Sequence, residues 1–133
     1  MSERSLQVVL ALLAAYHVVT GALALIAPDT FFDQIGKYGV ENSHYVGDVG
    51  AFTLAYGLAL LVAIRVPSWR VPVLGVGAFW YGFHALNHAF DTGQARSEAR
   101  GWSDTILLAF GAVLNAYLAR VAARFGSDAR RAG

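Results

Sequence analysis

Hydrophobic residues in this chain occur in four long runs separated by short polar segments. The runs cover about residues 6–27, 45–66, 71–90 and 102–121. A helix needs roughly 20 apolar residues to cross the hydrocarbon core of a bilayer, and each run has about that length. Pro28 and Pro67 end the first two runs, and Pro72 lies where the first turn of a helix tolerates proline. The pattern predicts an all-α integral membrane protein, an antiparallel four-helix bundle that forms a single domain.

The composition agrees with a membrane protein and removes several kinds of chemistry. Hydrophobic residues make up 56% of the 133 residues and charged residues 14%, whereas soluble domains contain about 25% charged residues. The mean hydropathy is +0.48. The chain has no cysteine, which excludes disulfides, thiolate metal ligands and thiol nucleophiles. The formal net charge of +1 gives no basis for nucleic-acid binding, so the partner that the composition favours is the lipid bilayer.

Positively charged residues are unevenly divided between the two ends of the predicted bundle. Four spans place both termini at one end, the terminal end, together with seven arginines: Arg4, Arg65, Arg70, Arg120, Arg124, Arg130 and Arg131. Lys37, Arg96 and Arg100 lie at the opposite end, the loop end. Because cytoplasmic loops are enriched in lysine and arginine, we predict a protein of the cell (inner) membrane with both termini in the cytoplasm.

Two histidines interrupt the third hydrophobic run near the loop end, in the sequence GFHALNHAFDTG, residues 82–93. His84 and His88 are four positions apart, so they share one face of a helix. The second and fourth runs begin at the same end, where they carry Asp48 and Asp104. We therefore expect two imidazoles and two carboxylates at similar depth, facing a niche that opens to the outside of the cell.

A second set of polar residues lies deeper. At about 1.5 Å per residue along a helix, His17, Tyr56 and Asn115 each fall near the middle of the bilayer. Tyr81 falls between the two layers. Ionisable groups inside a membrane cost roughly 2.5–3.5 kcal/mol, so they usually face the protein interior and bond to one another. If all these side chains face inward, they form a polar track from the loop end to the centre of the bundle.

The leading hypothesis is a binding or accessory protein for a small lipophilic ligand, such as a quinone, or for a redox partner. Such a pocket requires apolar walls and a few converging polar groups. Six residues are predicted to bind the ligand: His84, Asp48, Tyr81, Tyr56, His17 and Asn115. Four aromatic residues are predicted to supply the walls: Phe52, Phe79, Trp80 and Phe83.

Two alternatives use metal chemistry. Histidines four apart, with carboxylates from two other helices, suit a divalent metal. The candidate ligands of such a metal-dependent membrane enzyme or carrier are His84, His88, Asp48 and Asp104. Haem is the other alternative, with His17 opposite His84 as the axial pair. The chain has no CxxCH sequence, which excludes covalently attached haem.

A further hypothesis assigns these residues no ligand and makes the chain a structural membrane subunit. The two histidines then lie at the water interface and need no partner. Asp48 and Asp104 then cap helices, as Ser103 also could. Asn115 then bonds one helix to another. A membrane-protein partner or a homo-oligomer is compatible with each of these hypotheses.

The polar segment between the first two runs is predicted to contain a short helix. Asp29 can cap it, and Gly36 can end it. Phe31, Phe32 and Ile35 give the helix an apolar face. We interpret the segment either as an amphipathic helix in the membrane interface or as an ordinary surface loop.

The sequence GALALIAPDTFF, from Gly21 to Phe32, places a glycine-bearing first helix before a proline and two aromatic residues. With the chain length and the four spans, it resembles small four-span bacterial membrane proteins of the DoxX-like kind. The resemblance covers the whole chain in architecture and implies a four-helix membrane fold. Some members of that group are similar to quinone-linked oxidoreductase subunits, so the resemblance also implies a quinone as one candidate ligand. It supplies no catalytic residues.

Overall fold

The computed structural model describes residues 1–131, with side chains through residue 126. The helices are α1 (Glu3–Ile26), α2 (Pro28–Phe31), α3 (Ser43–Arg65), α4 (Arg70–Phe90) and α5 (Glu98–Arg131). A π-helical turn, Phe32–Gly36, follows α2, and short 3-10 turns, Pro67–Trp69 and Thr92–Gln94, precede and follow α4. No strand forms in residues 1–131, so the all-α prediction is confirmed for the described chain.

Three of the described helices are long and apolar enough to cross a membrane: α1, α3 and the Glu98–Gly126 part of α5. α4 has 21 residues, but its polar side chains give it a lower mean hydropathy than the other three. The prediction of a membrane protein is therefore supported by three helices on length and composition, and the fourth span needs a separate argument.

The helices pack as two antiparallel hairpins, α1 with α3 and α4 with α5. Glycines permit the close approach within the first hairpin. A Cβ at Gly21 would overlap the backbone of Leu54, and one at Gly57 would lie 2.8 Å from the backbone nitrogen of Val18. In the second hairpin, the ring of Tyr81 packs over Gly111. Because lipid is as apolar as leucine, this close packing, rather than hydrophobic burial, holds membrane helices together.

All four long helices contribute to one core near the terminal end. Its fully buried leucines are Leu6, Leu10, Leu60, Leu74 and Leu118. Towards the loop end the core gives way to polar side chains and a cavity. The two hairpins are thus pressed together at the terminal end and separated by a cavity at the loop end.

A buried arginine joins three helices at the terminal end. Arg70 is 3% exposed, and its Nε and Nη2 donate to the carbonyl oxygens of Ala63 and Ile64 at 3.0 and 3.2 Å. Its Nη1 donates to Glu3 Oε1 at 2.6 Å. The guanidinium therefore satisfies carbonyls in the last turn of α3, where a cation is favourable, and ties the start of α1 to the start of α4.

Candidate functional site

A cavity of about 460 Å³ lies between the two hairpins at the loop end. All four long helices line it, and the segment between α1 and α3 covers it. Its volume falls within the range of about 300–1,000 Å³ that is typical of small-molecule sites. The cavity is therefore the candidate functional site of the described chain.

One wall of the cavity is polar and comes from α4. Tyr81, His84 and His88 all line it, and the two imidazole rings have their centroids 4.7 Å apart. The Nδ1 atoms of His84 and His88 are buried and have no hydrogen-bond partner. A buried polar atom left without a partner costs about 1–3 kcal/mol. The two rings, rather than these buried nitrogens, are what the wall presents to a molecule in the cavity.

The remaining walls are mostly apolar. They are formed by residues from three parts of the chain: Phe31, Phe32 and Ile35 above, Val46 and Val49 on α3, and Leu107 and Leu108 on α5. Trp80 extends the α4 wall towards Phe52, with ring centroids 4.9 Å apart. The cavity is therefore mostly hydrocarbon, with hydrogen-bonding groups concentrated on α4 and further polar side chains at Thr20, Thr53 and Asp104, which matches a ligand with a polar edge and an apolar body.

The cavity is covered by residues 28–42, which we call the lid segment. It begins with α2 and the π-helical turn, so the predicted short helix is present, although Asp29 lies inside it and does not cap it. Its aromatic side chains Phe31 and Phe32 line the cavity. The lid segment then turns back at Lys37 and Gly39, whose φ angles are 25° and 64°. Its apolar side chains Phe31, Phe32 and Ile35 face the cavity, and its position in a membrane interface stays a prediction.

The lid segment is anchored to the end of α4. The Tyr38 hydroxyl donates to the His88 carbonyl oxygen at 3.2 Å, and the two rings have centroids 4.1 Å apart. Burial, together with the carboxylates of Asp104 and Asp91, raises the pKa of Tyr38, so this phenol keeps the proton that it donates. The Gly39 amide donates to the carbonyl oxygen of Gln94 at 3.0 Å in the α4–α5 loop. These contacts bring the two loop-end connections together over the cavity.

The deepest part of the cavity is bounded by a hydrogen-bonded pair. His17 is fully buried, and its Nδ1 lies 2.6 Å from the Leu13 carbonyl oxygen. A carbonyl only accepts, so Nδ1 carries the proton and Nε2 of the neutral ring is an acceptor. The Tyr81 hydroxyl, 2.8 Å from Nε2, is then the donor. Tyr81 is thus the hydrogen-bond partner of His17.

Below this pair, a second bond crosses the bundle from α3 to α5. The Tyr56 hydroxyl donates to Asn115 Oδ1 at 2.6 Å, and Asn115 Nδ2 donates to the Gly111 carbonyl oxygen at 2.9 Å. Gly77 on α4 lies against both polar atoms and leaves room for them. Tyr56 and Asn115 do not line the cavity. They join helices beneath it, which is the role that the structural hypothesis gave to Asn115.

The predicted ligand-binding residues therefore divide into three groups. His17, Tyr81 and His84 line the cavity, while Tyr56 and Asn115 lie beneath it. Asp48 does not line it and instead pairs with His44 at 3.6 Å on an exposed surface. The rotation of α3 explains this placement: Val46, Val49 and Thr53 face the cavity, and a residue two positions after Val46 points away from them.

The four predicted metal ligands are not brought together. His84 and His88 form the polar wall, Asp104 lines the cavity near its mouth, and Asp48 lies outside it. The Asp104 carboxylate pairs with Arg100 at 3.0 Å. Within the described residues, no group of three or more histidine, aspartate or glutamate side chains could hold a metal ion. The arrangement gives the metal hypothesis no support.

The haem hypothesis meets a different obstacle. Both ring nitrogens of His17 are engaged, one by the Leu13 carbonyl and the other by the Tyr81 hydroxyl. An axial ligand needs a free ring nitrogen pointing at the iron. His17 could ligate iron only by giving up its bond to Tyr81, so the proposed axial pair with His84 does not fit this arrangement.

Two features of the site were missed by the sequence reasoning. Asn42 caps α3 by accepting from the His44 and Tyr45 amides, and Ser97 caps α5 by accepting from the Arg100 amide. The predicted caps Asp48 and Asp104 lie further inside their helices. The other missed feature is the contact of Tyr38 with His88, for which the sequence carries no local signal.

No protein-family model matches the chain, and no curated protein or solved structure matches it either. The resemblance to DoxX-like proteins therefore stays a prediction. Function has to be inferred from the geometry of the cavity and from the surfaces of the helices.

Proposed function

We propose that this chain is a multi-pass membrane protein whose four long helices all cross the bilayer as one antiparallel bundle. The fourth span is supported by the distribution of residues around α4. Its exposed face carries large apolar side chains: Val76, Phe79, Phe83, Leu86 and Phe90. Three of its polar side chains, Tyr81, His84 and His88, face the cavity, whereas Asn87 is exposed near the loop end. A helix packed against a protein core in water shows the opposite pattern, so the low mean hydropathy of α4 comes mainly from its cavity-facing side.

Charged residues are confined to the two ends of the bundle, which agrees with a membrane between them. No charged residue occurs in three central stretches, residues 49–64 of α3, 71–90 of α4 and 105–119 of α5. The arginines concentrate at the terminal end, where both termini lie. By the positive-inside rule, we place the termini in the cytoplasm, the chain in the cell membrane, and the cavity towards the outer leaflet.

The function that the cavity supports best is binding of a small lipophilic ligand with a polar edge. The observation that carries this proposal is the pair of imidazole rings, His84 and His88, in the wall of a cavity of about 460 Å³. An imidazole can accept from a ligand hydroxyl or donate to a ligand carbonyl. A quinone or quinol ring satisfies these requirements, as does another hydroxylated amphiphile. The chain would then serve as a binding or accessory subunit for that ligand.

The ligand can be identified by extracting the protein together with its surrounding lipid. Native nanodiscs made with a styrene–maleic acid copolymer keep co-purifying small molecules in place, and mass spectrometry of their solvent extract measures each compound per protein. We expect one compound to be enriched above its level in the bulk membrane. His84→Phe, which removes both ring nitrogens and keeps a ring, should lower that enrichment at least several-fold.

His44→Phe is the matched control. It makes the same chemical change at a histidine that lies outside the cavity and pairs with Asp48 on an exposed surface. We expect it to leave the enrichment unchanged. If wild-type protein carries no enriched compound, or if both variants lose it equally, the cavity is not a ligand site that depends on His84.

A further inference from the structure

The two long sides of the cavity are not closed in the same way. Between α3 and α4, the Phe52 and Trp80 rings are in contact at 4.9 Å. The other side lies between α1 and α5. Tyr81 donates to His17 on α1 and packs over Gly111 on α5, so His17 and Gly111 lie at about the same height in the bundle. Thr20 on α1 and Leu107 on α5 lie about one turn further towards the loop end. At that level of the described chain, no hydrogen bond or ring contact joins α1 to α5.

The side chains bordering this gap face the cavity and the outside at once. Tyr16 and Leu107 both line the cavity, yet they are 56% and 66% exposed. Thr20 and Leu108 line the cavity behind them. We call the gap bordered by these four residues the lateral opening. In the proposed membrane orientation, it faces the hydrocarbon of the outer leaflet and not water.

The route from the water side is only partly obstructed, since Val40 and Tyr45 also line the cavity and are 94% and 66% exposed. The lid segment lies across the loop end, held by the Tyr38 hydroxyl on the His88 carbonyl and by the Gly39 amide on the Gln94 carbonyl. A lipophilic molecule already dissolved in the bilayer would meet the lateral opening first. It would also avoid exposing its hydrocarbon to water on the way in.

We propose that the lateral opening is the portal through which the ligand enters from the outer leaflet, and that it holds the ligand's hydrocarbon tail. The polar head then lies against His84 and His88, and the tail passes between Tyr16 and Leu107 into the lipid. The ligand class is thus a membrane amphiphile with a tail longer than the cavity. This inference rests on the proposed function, since a cavity without a ligand needs no portal.

The absence of cysteine from the chain permits a direct test. Thr53→Cys places one thiol on the α3 wall of the cavity, at a buried residue whose hydroxyl donates only to the Val49 carbonyl of its own helix. Two methanethiosulfonates compete for it in nanodiscs: a decyl reagent that partitions into lipid, and a charged trimethylammonium-ethyl reagent that stays in water. In each case the thiolate attacks the reagent's sulfur, a mixed disulfide forms, and methanesulfinate leaves.

We expect the decyl reagent to label Thr53→Cys several-fold faster than the charged reagent. Adding Leu107→Trp should narrow the lateral opening and slow the decyl reagent several-fold. Val113→Trp is the matched control, because Val113 is 67% exposed on the same helix but does not line the cavity. It should leave the labelling rate unchanged. Gel filtration of each variant checks that the protein remains folded and monodisperse.

The outcomes separate the portal from the cavity itself. If the charged reagent labels as fast as the decyl reagent, or if Leu107→Trp acts no differently from Val113→Trp, the ligand does not enter between α1 and α5. The proposed function could still be supported by co-purification of a compound that depends on His84. If neither reagent labels Thr53→Cys, the cavity is inaccessible and both proposals fail.

Discussion

Gly77 is the residue whose replacement tests the packing beneath the cavity most sharply. A Cβ at this position would overlap the Tyr56 hydroxyl and would lie 2.8 Å from Asn115 Oδ1. These two atoms form the bond between α3 and α5, at 2.6 Å. Gly77→Ala therefore forces α4 outward or breaks that bond. The two neighbouring helices leave no third way to accommodate the methyl group without moving buried side chains.

The expected cost combines two effects. Forcing an extra methyl group into a well-packed interior costs about 1–3 kcal/mol. An interhelical hydrogen bond in a membrane protein is worth about 0.6 kcal/mol on average and up to about 1.7 kcal/mol. If both effects act, Gly77→Ala lowers the free energy of unfolding by about 2–4 kcal/mol. Alanine favours helix by up to about 1 kcal/mol over glycine, which reduces the net loss slightly.

The assay is reversible unfolding in bicelles, followed by steric trapping or by circular dichroism in SDS titrations. Gly75→Ala is the control on the same helix, because a Cβ there would meet nothing within 4 Å. It should be neutral or stabilising by up to about 1 kcal/mol. Adding Tyr56→Phe to Gly77→Ala removes the overlapping hydroxyl and should restore part of the lost stability. The reasoning is refuted if the two alanine variants unfold within about 0.5 kcal/mol of each other.

Two more predictions concern the ends of the bundle. Arg70→Ala should lower the free energy of unfolding by about 2–3 kcal/mol. This loss is smaller than the 3–5 kcal/mol typical of a broken buried ion pair, because Glu3 is half-exposed. Arg65→Ala is the control: it removes the same charge at an exposed position and should change the free energy of unfolding by less than about 0.5 kcal/mol. Equal effects would mean that the buried contacts of Arg70 contribute little. In the proposed topology, a membrane-impermeant maleimide added to intact cells should label Gln34→Cys, whereas Ser68→Cys should react only after the membrane is permeabilised. The reverse pattern would place the cavity towards the cytoplasm.

The positions of the long helices could be predicted because hydrophobic runs and prolines mark them directly. The first three runs, about 6–27, 45–66 and 71–90, end within three residues of α1, α3 and α4. The fourth run stops at residue 121, but α5 runs from Glu98 to Arg131. The hydropathy pattern shows where a run of apolar residues ends. The helix itself continues, because the charged residues that follow also favour helical structure.

The positions of the polar residues along the bundle could also be predicted, but the direction in which several of them point could not. His84 and His88 share a face by spacing alone, and α4 carries apolar residues on its other side, so their inward aim follows from the pattern. α3 is apolar on all sides, so its rotation depends on where Gly50 and Gly57 meet α1. That rotation turns Asp48 to the surface, and no periodicity in α3 indicates it.

Contacts between residues far apart in the chain could not be predicted from the sequence for the same reason. Tyr81 was predicted to lie between the two polar layers, yet its bond to His17 spans 64 positions along the chain. The sequence shows Arg70 only as a positive charge, although its guanidinium donates three hydrogen bonds, two to carbonyl oxygens of α3 and one to Glu3. Both roles depend on how the hairpins meet, which is a property of packing and not of local pattern.

The connection of the two hairpins determines how the protein could change shape. At the terminal end they share the covalent turn Pro67–Trp69 and the leucine core, and below the cavity the bonds of Tyr81 to His17 and of Tyr56 to Asn115 join them. At the loop end of the described chain, the contacts between them are the Gly39 amide, the Tyr38 hydroxyl and ring, and the exposed pair of Asp33 with Arg96 at 3.9 Å. The two hairpins are therefore held firmly at the terminal end and only weakly at the loop end. A guest too bulky for the closed form would break these exposed loop-end contacts first, and the hairpins would separate at that end while the buried bonds beneath the cavity keep them joined.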